Sequence, residues 1–539
     1  MSSTANAVTE VANDSLQPEE QEAPINRLPL ELLQSIFKFA TFSPVDPTTP
    51  WRLVDVCKFW RTIVTSFPLL WTNIVIDNNS ADPNGFVEMG ARSAFPMLTS
   101  YLRFSSPLPV NISILLRGMP GPHIPLTRAY AGVLSHIFRR LSHRIRSISI
   151  TVDSWEFYSL LTESLTYVQM PILIHWTAQY INGPLVIFNE GFRAKDPDCR
   201  FKSTILTSNN VRQRECLSHG MALYPNLRYL YLASTPMSWD RFCPSNLIEL
   251  HLYDLPPQSR PDAIQLRQIL ELSRDTLQVL ELSGVIFQDS ALEDSLTMSR
   301  VHTLKLGFSL AEELGGLFPN LQLPVLISLE VNNLDRKSTW FGCSPEDMQL
   351  AVAPAFKALT MFLPLHQLKQ LRLDCITFHI PSNILPTPGS GEDPVSLTFF
   401  KQLTSLTCLS LYSPDVITFG CMNYSPDILP ALKVLKISTP GANYYDHILS
   451  FWQERARMLA RRMLEHFELT LPMCAKGKIE ALVRENEVFA KRVVVDYQPD
   501  MHPPGWMLQD VEMEEDDADE MDDEEINELE DGIGEMDED

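Results

Sequence analysis

The most regular feature of the chain is a spacing of apolar residues: an aliphatic, two variable positions, an aliphatic, one variable position, an aliphatic. It reads Ile145-Ile148-Ile150, Leu227-Leu230-Leu232, Leu247-Leu250-Leu252, Leu277-Leu280-Leu282 and Val301-Leu304-Leu306. It continues as Leu326-Leu329-Val331, Leu368-Leu371-Leu373, Leu406-Leu409-Leu411 and Leu432-Leu435-Ile437, and Leu464-Phe467-Leu469 makes a tenth. From Leu227 onward the units start 20, 30, 24, 25, 42, 38, 26 and 32 residues apart. In the last three positions of each unit the outer two residues face one way and the middle one the other, as a short strand requires. Between strands lie stretches long enough for a return helix, such as PDAIQLRQILELSRDT and FWQERARMLARRM. One unit cannot bury its own apolar face, so units stack, with parallel strands on a concave side and helices on a convex side. The variable residues between paired aliphatics then line the concave side: Tyr231, His251, Glu281, Lys305, Glu330, Arg372, Ser410 and Lys436.

This period resembles the leucine-rich repeat, and it implies an α/β solenoid. The turns depart from the family pattern. The slot that usually holds Asn or Cys reads Leu255, Val285, Leu334 and Ile376, with Ser309 and Pro414 elsewhere. Residues 85–140 read as an irregular start, in which VNISILL resembles a strand and HIFRRLSHRI a helix. Two long gaps break the array: Asn332–Leu363, and the Pro- and Gly-rich HIPSNILPTPGSGEDPVS, which reads as a loop.

The N-terminal part follows a helical period. Leu32, Leu33, Ile36, Phe37 and Ala40 recur after Pro29, predicting an amphipathic helix over Leu30–Ala40. Ser43–Pro50 holds three prolines and reads as a loop. Trp51–Val64 reads as a second helix, with Leu53, Val56, Cys57, Trp60, Ile63 and Val64 near one face, and Phe67–Ile74 closes the unit. Two or three short helices cannot cover this much apolar surface, and each Leu or Trp left in water forgoes about 1.5–3 kcal/mol. Either the following domain or a partner covers it.

Charge changes the picture in one respect. The net charge is −24, but Glu512–Asp539 holds 18 Asp or Glu and no Lys or Arg. Without that tail, 49 acids face 43 bases, so the body has no bulk positive field and nucleic acid is not expected as a partner. The division that follows is a disordered N-terminus (1–24), a helical head (25–75), the array (76–500) and a disordered acidic tail (501–539). Nine dispersed cysteines without a CxxC read as reduced thiols of an intracellular protein, cytoplasmic or nuclear. No secretory start is visible. The uncharged stretch Ser164–Asn189 is interrupted by Pro171, Gly183 and Pro184 and reads as core, so no membrane association is expected.

No catalytic chemistry is legible. GxSxG, Walker-type, HExxH and paired CxxC patterns are missing, and no two of the twelve His lie at i, i+4. GSGED reads as a turn, and RARMLARR as part of a return helix. No cofactor or metal is expected, and the chain reads as a non-enzyme.

LPLELLQSIFKFA, a loop, then LVDVCKFWRTIVTSFPLLWTNI resembles the F-box. The shared features are the Leu-Pro start, the Glu-Leu-Leu helix opening, the VCKFWR core and the PLLW ending. With the repeats behind it, the chain is similar to the repeat-bearing F-box proteins of mushroom-forming fungi. The resemblance implies docking on a Skp-type adaptor, and through it on a cullin ubiquitin ligase of the SCF type, with an unknown protein substrate held by the solenoid. It implies adaptor contacts at Leu28, Pro29, Leu32, Leu33 and Ile36, and at Val56, Cys57, Trp60 and Ile63. Trp71 is expected where the F-box meets the repeats. The alternative is a non-degradative scaffold, or a histone-chaperone-like protein that holds basic proteins with the acidic tail.

Overall fold

The structure is a computed structural model. It describes residues 23–41, 48–77, 95–116, 128–153, 155–165, 168–181, 224–235, 239, 244–255, 260–285, 295–308, 318–334, 345–376, 378, 395–414, 416–425, 427–438, 448, 450–453, 464–473, 476–485 and 491–498. The acidic tail, the GSGED turn and the RARMLARR segment lie outside these. The chain forms two compact units, Met1–Val279 and Leu280–Asp539.

The first unit opens with the helical head: α1 (Leu30–Thr41), α2 (Thr49–Val56) and α3 (Lys58–Ser66), then a short 3-10 turn over Pro68–Trp71. The helix expected over Trp51–Val64 is two helices. Cys57 interrupts it with an extended backbone (φ −162°, ψ 169°), and its Sγ accepts from the backbone N of Trp60 at 3.4 Å, capping α3. The Arg61 side chain donates to the Val54 carbonyl at 3.2 Å, an oxygen that a continuous helix would have turned onto residue 58.

A large parallel sheet follows. In the first unit β1 (Asn73–Asp77), β2 (Val110–Leu116), β3 (Ile145–Val152), β4 (His175–Tyr180), β5 (Tyr229–Ala233) and β6 (Glu249–Tyr253) pair in chain order, all parallel. Two of these strands carry the spacing in disguise. Trp71-Ile74-Ile76 places a Trp in the first aliphatic slot of β1, and Leu173-Trp176-Ala178 places Trp and Ala in β4. All six side chains are buried. Among the return helices, Ala263–Ser273 starts on Asp262, whose carboxylate accepts from the Gln265 backbone while the Gln265 side chain accepts from the Asp262 backbone.

The second unit repeats the plan with β7 (Val279–Ser283, all but its first residue in this unit), β9 (Thr303–Phe308), β11 (Ser328–Asn333), β12 (Gln370–Asp374), β13 (Cys408–Tyr412), β14 (Val434–Ser438), β15 (His466–Pro472) and β16 (Val493–Gln498). β9, β11, β12, β13, β14, β15 and β16 pair in that order, all parallel. The dipeptides β8 (Leu296–Thr297) and β10 (Leu321–Gln322) make a separate parallel pair. The gap over Asn332–Leu363 contains a helix, Pro345–Phe362, and the segment read as a Pro- and Gly-rich loop ends in another, Val395–Gln402.

A recurring device ends the strands. The residue after β5, β6, β7, β12 and β13 has positive φ: Ser234 (53°), Asp254 (46°), Gly284 (64°), Cys375 (57°) and Ser413 (51°). From this conformation the N–H of Ser234 reaches the Tyr253 carbonyl at 2.8 Å, Gly284 reaches Gly307 at 3.0 Å, and Cys375 reaches Tyr412 at 2.9 Å. The chain then dives inward, which explains the divergent turn slot: Leu255, Val285 and Ile376 are buried. They add apolar core where the family pattern has an amide ladder. Gly307 is required by a close approach, because a Cβ there would lie 2.1 Å from Ser283 Oγ.

Among the described residues no helix is long and apolar enough to cross a membrane, and no cluster of three His, Cys, Asp or Glu is placed to hold a metal ion.

Candidate functional site

The head is amphipathic in an unusual way, because both sides of α1 are apolar. Leu33 and Phe37 point into the core and are buried. Phe37 packs on Trp60 with ring centroids 4.7 Å apart, and Trp60 Nε1 donates to Asn26 Oδ1 at 2.8 Å. The opposite side carries Leu32 (51% exposed), Ile36 and Phe39 (81% exposed), while Leu30, in line with Leu33 and Phe37, is exposed at the first turn. Val56 (58% exposed) and Phe59 add to the open apolar surface at the α2–α3 junction. Of the nineteen exposed large apolar residues among the described ones, eight fall between Ile25 and Leu69. That concentration makes the head the candidate docking surface, since scattered exposed apolar residues are ordinary and clustered ones mark interaction sites.

The inner side is built around Trp71. It is fully buried among Trp51, Tyr101 and Phe104, at centroid distances of 5.2, 5.1 and 4.8 Å, and its Nε1 donates to the Val64 carbonyl at 2.8 Å. Tyr101 and Phe104 lie on the helix Pro96–Phe104, outside the head. Trp71 therefore closes the head and opens the first strand, at the junction where the sequence placed it.

Residues 25–77 match the F-box-like family model. This supports an F-box protein, and F-box domains in general bind Skp-type adaptors. No curated protein matches the chain.

Within the F-box-like domain, the expected contact residues divide. Pro29, Leu32, Ile36 and Val56 are exposed, and Leu28, Cys57 and Trp60 are half-buried. Leu33 and Ile63 correct the expectation: both are buried in the core of the domain, Ile63 at 5% exposure, and neither is available to an outside partner in this arrangement. Cys57 and Trp60 have structural duties, as the cap of α3 and the partner of Phe37. Leu30, Phe39 and Phe59 were not picked out from the sequence. The signal was present, because Phe39 lies three residues beyond Ile36 and continues its helical stripe.

The second candidate is the exposed side of the sheet. The predicted residues fall into register. In the first unit Tyr231 lies opposite His251, with Thr177, Ser149, Ser113 and Val75 continuing the row. In the second unit Lys305, Glu330, Arg372, Ser410 and Lys436 are successive neighbours, and Glu468 extends the row. Glu468 was legible too, as the variable residue between Phe467 and Leu469.

The two rows differ in chemistry. The first is hydroxylic and aromatic: His175 stacks on Tyr229 at 4.3 Å, Tyr231 packs on His251 at 5.9 Å, and His251 Nε2 lies 3.3 Å from Glu249. Burial, aided by the charge of Arg146, pushes the His175 pKa down and favours the neutral ring. The second row is ionic and pairs with itself. Lys305 meets Glu281 at 3.4 Å, Arg372 meets Glu330 at 3.6 Å and Asp374 at 2.9 Å, and Lys436 meets Glu468 at 2.6 Å. The hydrogen bond to Asp374 raises the pKa of Arg372; the one between Lys436 and Glu468 raises the lysine and lowers the carboxyl.

Proposed function

We propose that the protein is the substrate-recognition adaptor of an SCF-type cullin ubiquitin ligase. In this reading α1 and the α2–α3 junction dock on a Skp-type adaptor, which links to the cullin. The array behind is a leucine-rich-repeat-like solenoid that holds a protein substrate, and the chain itself makes and breaks no bond. Its contribution is proximity, the holding of a substrate near a charged conjugating enzyme. It acts in the cytoplasm, the nucleus or both.

One observation carries the reading. Within the residues that match the F-box-like model, Leu32, Ile36 and Phe39 form an apolar strip that the described residues leave uncovered, with Leu30 exposed at the start of the helix. An interface core of aliphatic and aromatic groups beside the polar Glu31, Lys38 and Lys58 has the anatomy of a specific protein–protein contact. For the substrate, Tyr231 and His251 in the first row, with the ionic residues of the second, are the candidate contacts. Their in-register placement supports this.

The test is a pull-down with a purified Skp-type adaptor. The intact chain is expected to retain it, and Leu28→Asp and Leu32→Asp to release it while keeping their melting temperature. Equal retention by both variants contradicts the proposal.

A further inference from the structure

The near-neutral body conceals an island. From Met89 to Val152 the chain holds eight Arg, no Lys, and no Asp or Glu across 64 residues. Outside this stretch and the acidic tail, 49 acids face 35 bases, so the island sits in a remainder that is acidic on balance.

The fold gathers five of the eight arginines, Arg103, Arg139, Arg140, Arg144 and Arg146. Arg103 lies in the last turn of the helix leading to β2, and Arg139 and Arg140 in the last turn of Arg128–Leu141, the helix leading to β3. Arg144 fixes the two lead-ins together: its Nε donates to the Leu108 carbonyl at 2.9 Å and its Nη2 to Ser105 Oγ at 2.9 Å. Arg146 follows at the start of β3, and its carbonyl accepts from Ile174 at 2.8 Å. Ile174 in turn accepts from the backbone N–H of Arg228, which precedes β5 and whose guanidinium donates to the Asn246 carbonyl at 2.8 Å. Arg103, Arg140 and Arg146 are exposed, and among the described residues no carboxylate lies within ion-pair distance of them.

A cation in the last turn of a helix is favoured by the helix dipole. That accounts for the presence of Arg103, Arg139 and Arg140. It does not account for 64 residues without one carboxylate, nor for the choice of Arg over Lys at all eight cations. Guanidinium pairs with carboxylates through two parallel hydrogen bonds, which ammonium cannot do.

We infer that the strand-start end of β2 and β3 is a binding surface for carboxylate-rich segments of partner proteins. The inference deepens the adaptor reading by naming the class of protein that the array takes. A polyanion such as nucleic acid is disfavoured, because the acidic remainder of the chain repels a long phosphate backbone.

The test needs no Skp-type protein, so it fails or succeeds independently of the docking assay. The host is the full chain with every Asp and Glu of residues 512–539 changed to Asn or Gln, which removes competition from its own tail. The probe is a fluorescent synthetic peptide with the natural sequence of residues 512–539, read by anisotropy at low salt. It is expected to bind, the fully amidated peptide to fail, and added salt to weaken binding. The triple variant Arg103→Gln, Arg140→Gln, Arg146→Gln is expected to lose at least tenfold in affinity with its melting temperature kept. The triple Lys variant, which keeps fold and charge, is expected to lie between. Equal binding by the Gln variant overturns the inference, and so does tighter binding of a single-stranded DNA of the same length.

Discussion

In the strand array the repeated aliphatics, from Leu230 and Leu232 to Phe467 and Leu469, are buried, whereas α1 of the head leaves Leu30, Leu32, Ile36 and Phe39 in the open. Both regions draw on the same residue types. What differs is where the neighbours come from. Each strand has a strand of the same chain on at least one side, so its outer aliphatics meet copies of themselves in register, as Leu371 meets Leu409 and Leu409 meets Leu435. Among the described residues the head has neighbours on its inner side only, where Phe37 meets Trp60 and Trp71 meets Tyr101. A closed set of contacts serves stability, and an open one leaves apolar surface available to a partner.

That contrast can be broken from its closed side. Trp71→Ala removes the side chain that joins the head to the helix Pro96–Phe104, and a cost of about 3–5 kcal/mol is expected for a buried Trp. Chemical denaturation should show a matching fall in the unfolding midpoint; an unchanged midpoint would mean that head and array are not coupled through this ring. Gly307→Ala drives a methyl into Ser283, and overpacking of this kind costs about 1–3 kcal/mol. The double change Gly307→Ala, Ser283→Gly should recover most of the loss in the same assay, and failure to recover would place the cause elsewhere.

The smallest effect sharpens the comparison within the sheet. Lys436 holds the Glu468 carboxyl below its ordinary range, so the pair's stabilisation is present above the unfolded carboxyl value, about 4.3, and fades as pH falls through the lower folded value. For an exposed pair this amounts to about 0–1 kcal/mol. Glu468→Gln should therefore lower the melting temperature slightly at neutral pH and leave it unchanged at the acid end of the profile. An equal loss at both ends would assign the effect to packing.

The array was legible because its signal is periodic and redundant: a misread unit is corrected by its neighbours. Two strands are hidden because the spacing is kept but the residue type is not: Trp71 takes the first slot ahead of β1, and Trp176 and Ala178 sit in β4. The helix break at Cys57 carries no Pro or Gly to announce it. It depends on a thiol cap and on Arg61 reaching back to Val54, both of which are tertiary details. The positive-φ residues hid for a related reason, since Ser234, Cys375 and Ser413 are not the residue types that signal that conformation. In α1 the apolar stripe was visible, but its division into an inward and an outward half was not. Leu32 and Leu33 are adjacent and chemically identical, and only the elements packed on α1, namely α2, α3 and the turn Pro68–Trp71, decide which of them is buried.

The central claim is that the open side of α1 is completed by a second polypeptide. Titration calorimetry of the intact chain with a Skp-type adaptor, repeated at several temperatures, tests it most directly. The expected result is single-site binding with a negative heat-capacity change, the mark of apolar burial, and at least a hundredfold loss in the variant Leu32→Asp, Ile36→Asp at unchanged thermal stability. Equal affinity of the variant and the intact chain, or no binding by the intact chain, would contradict it.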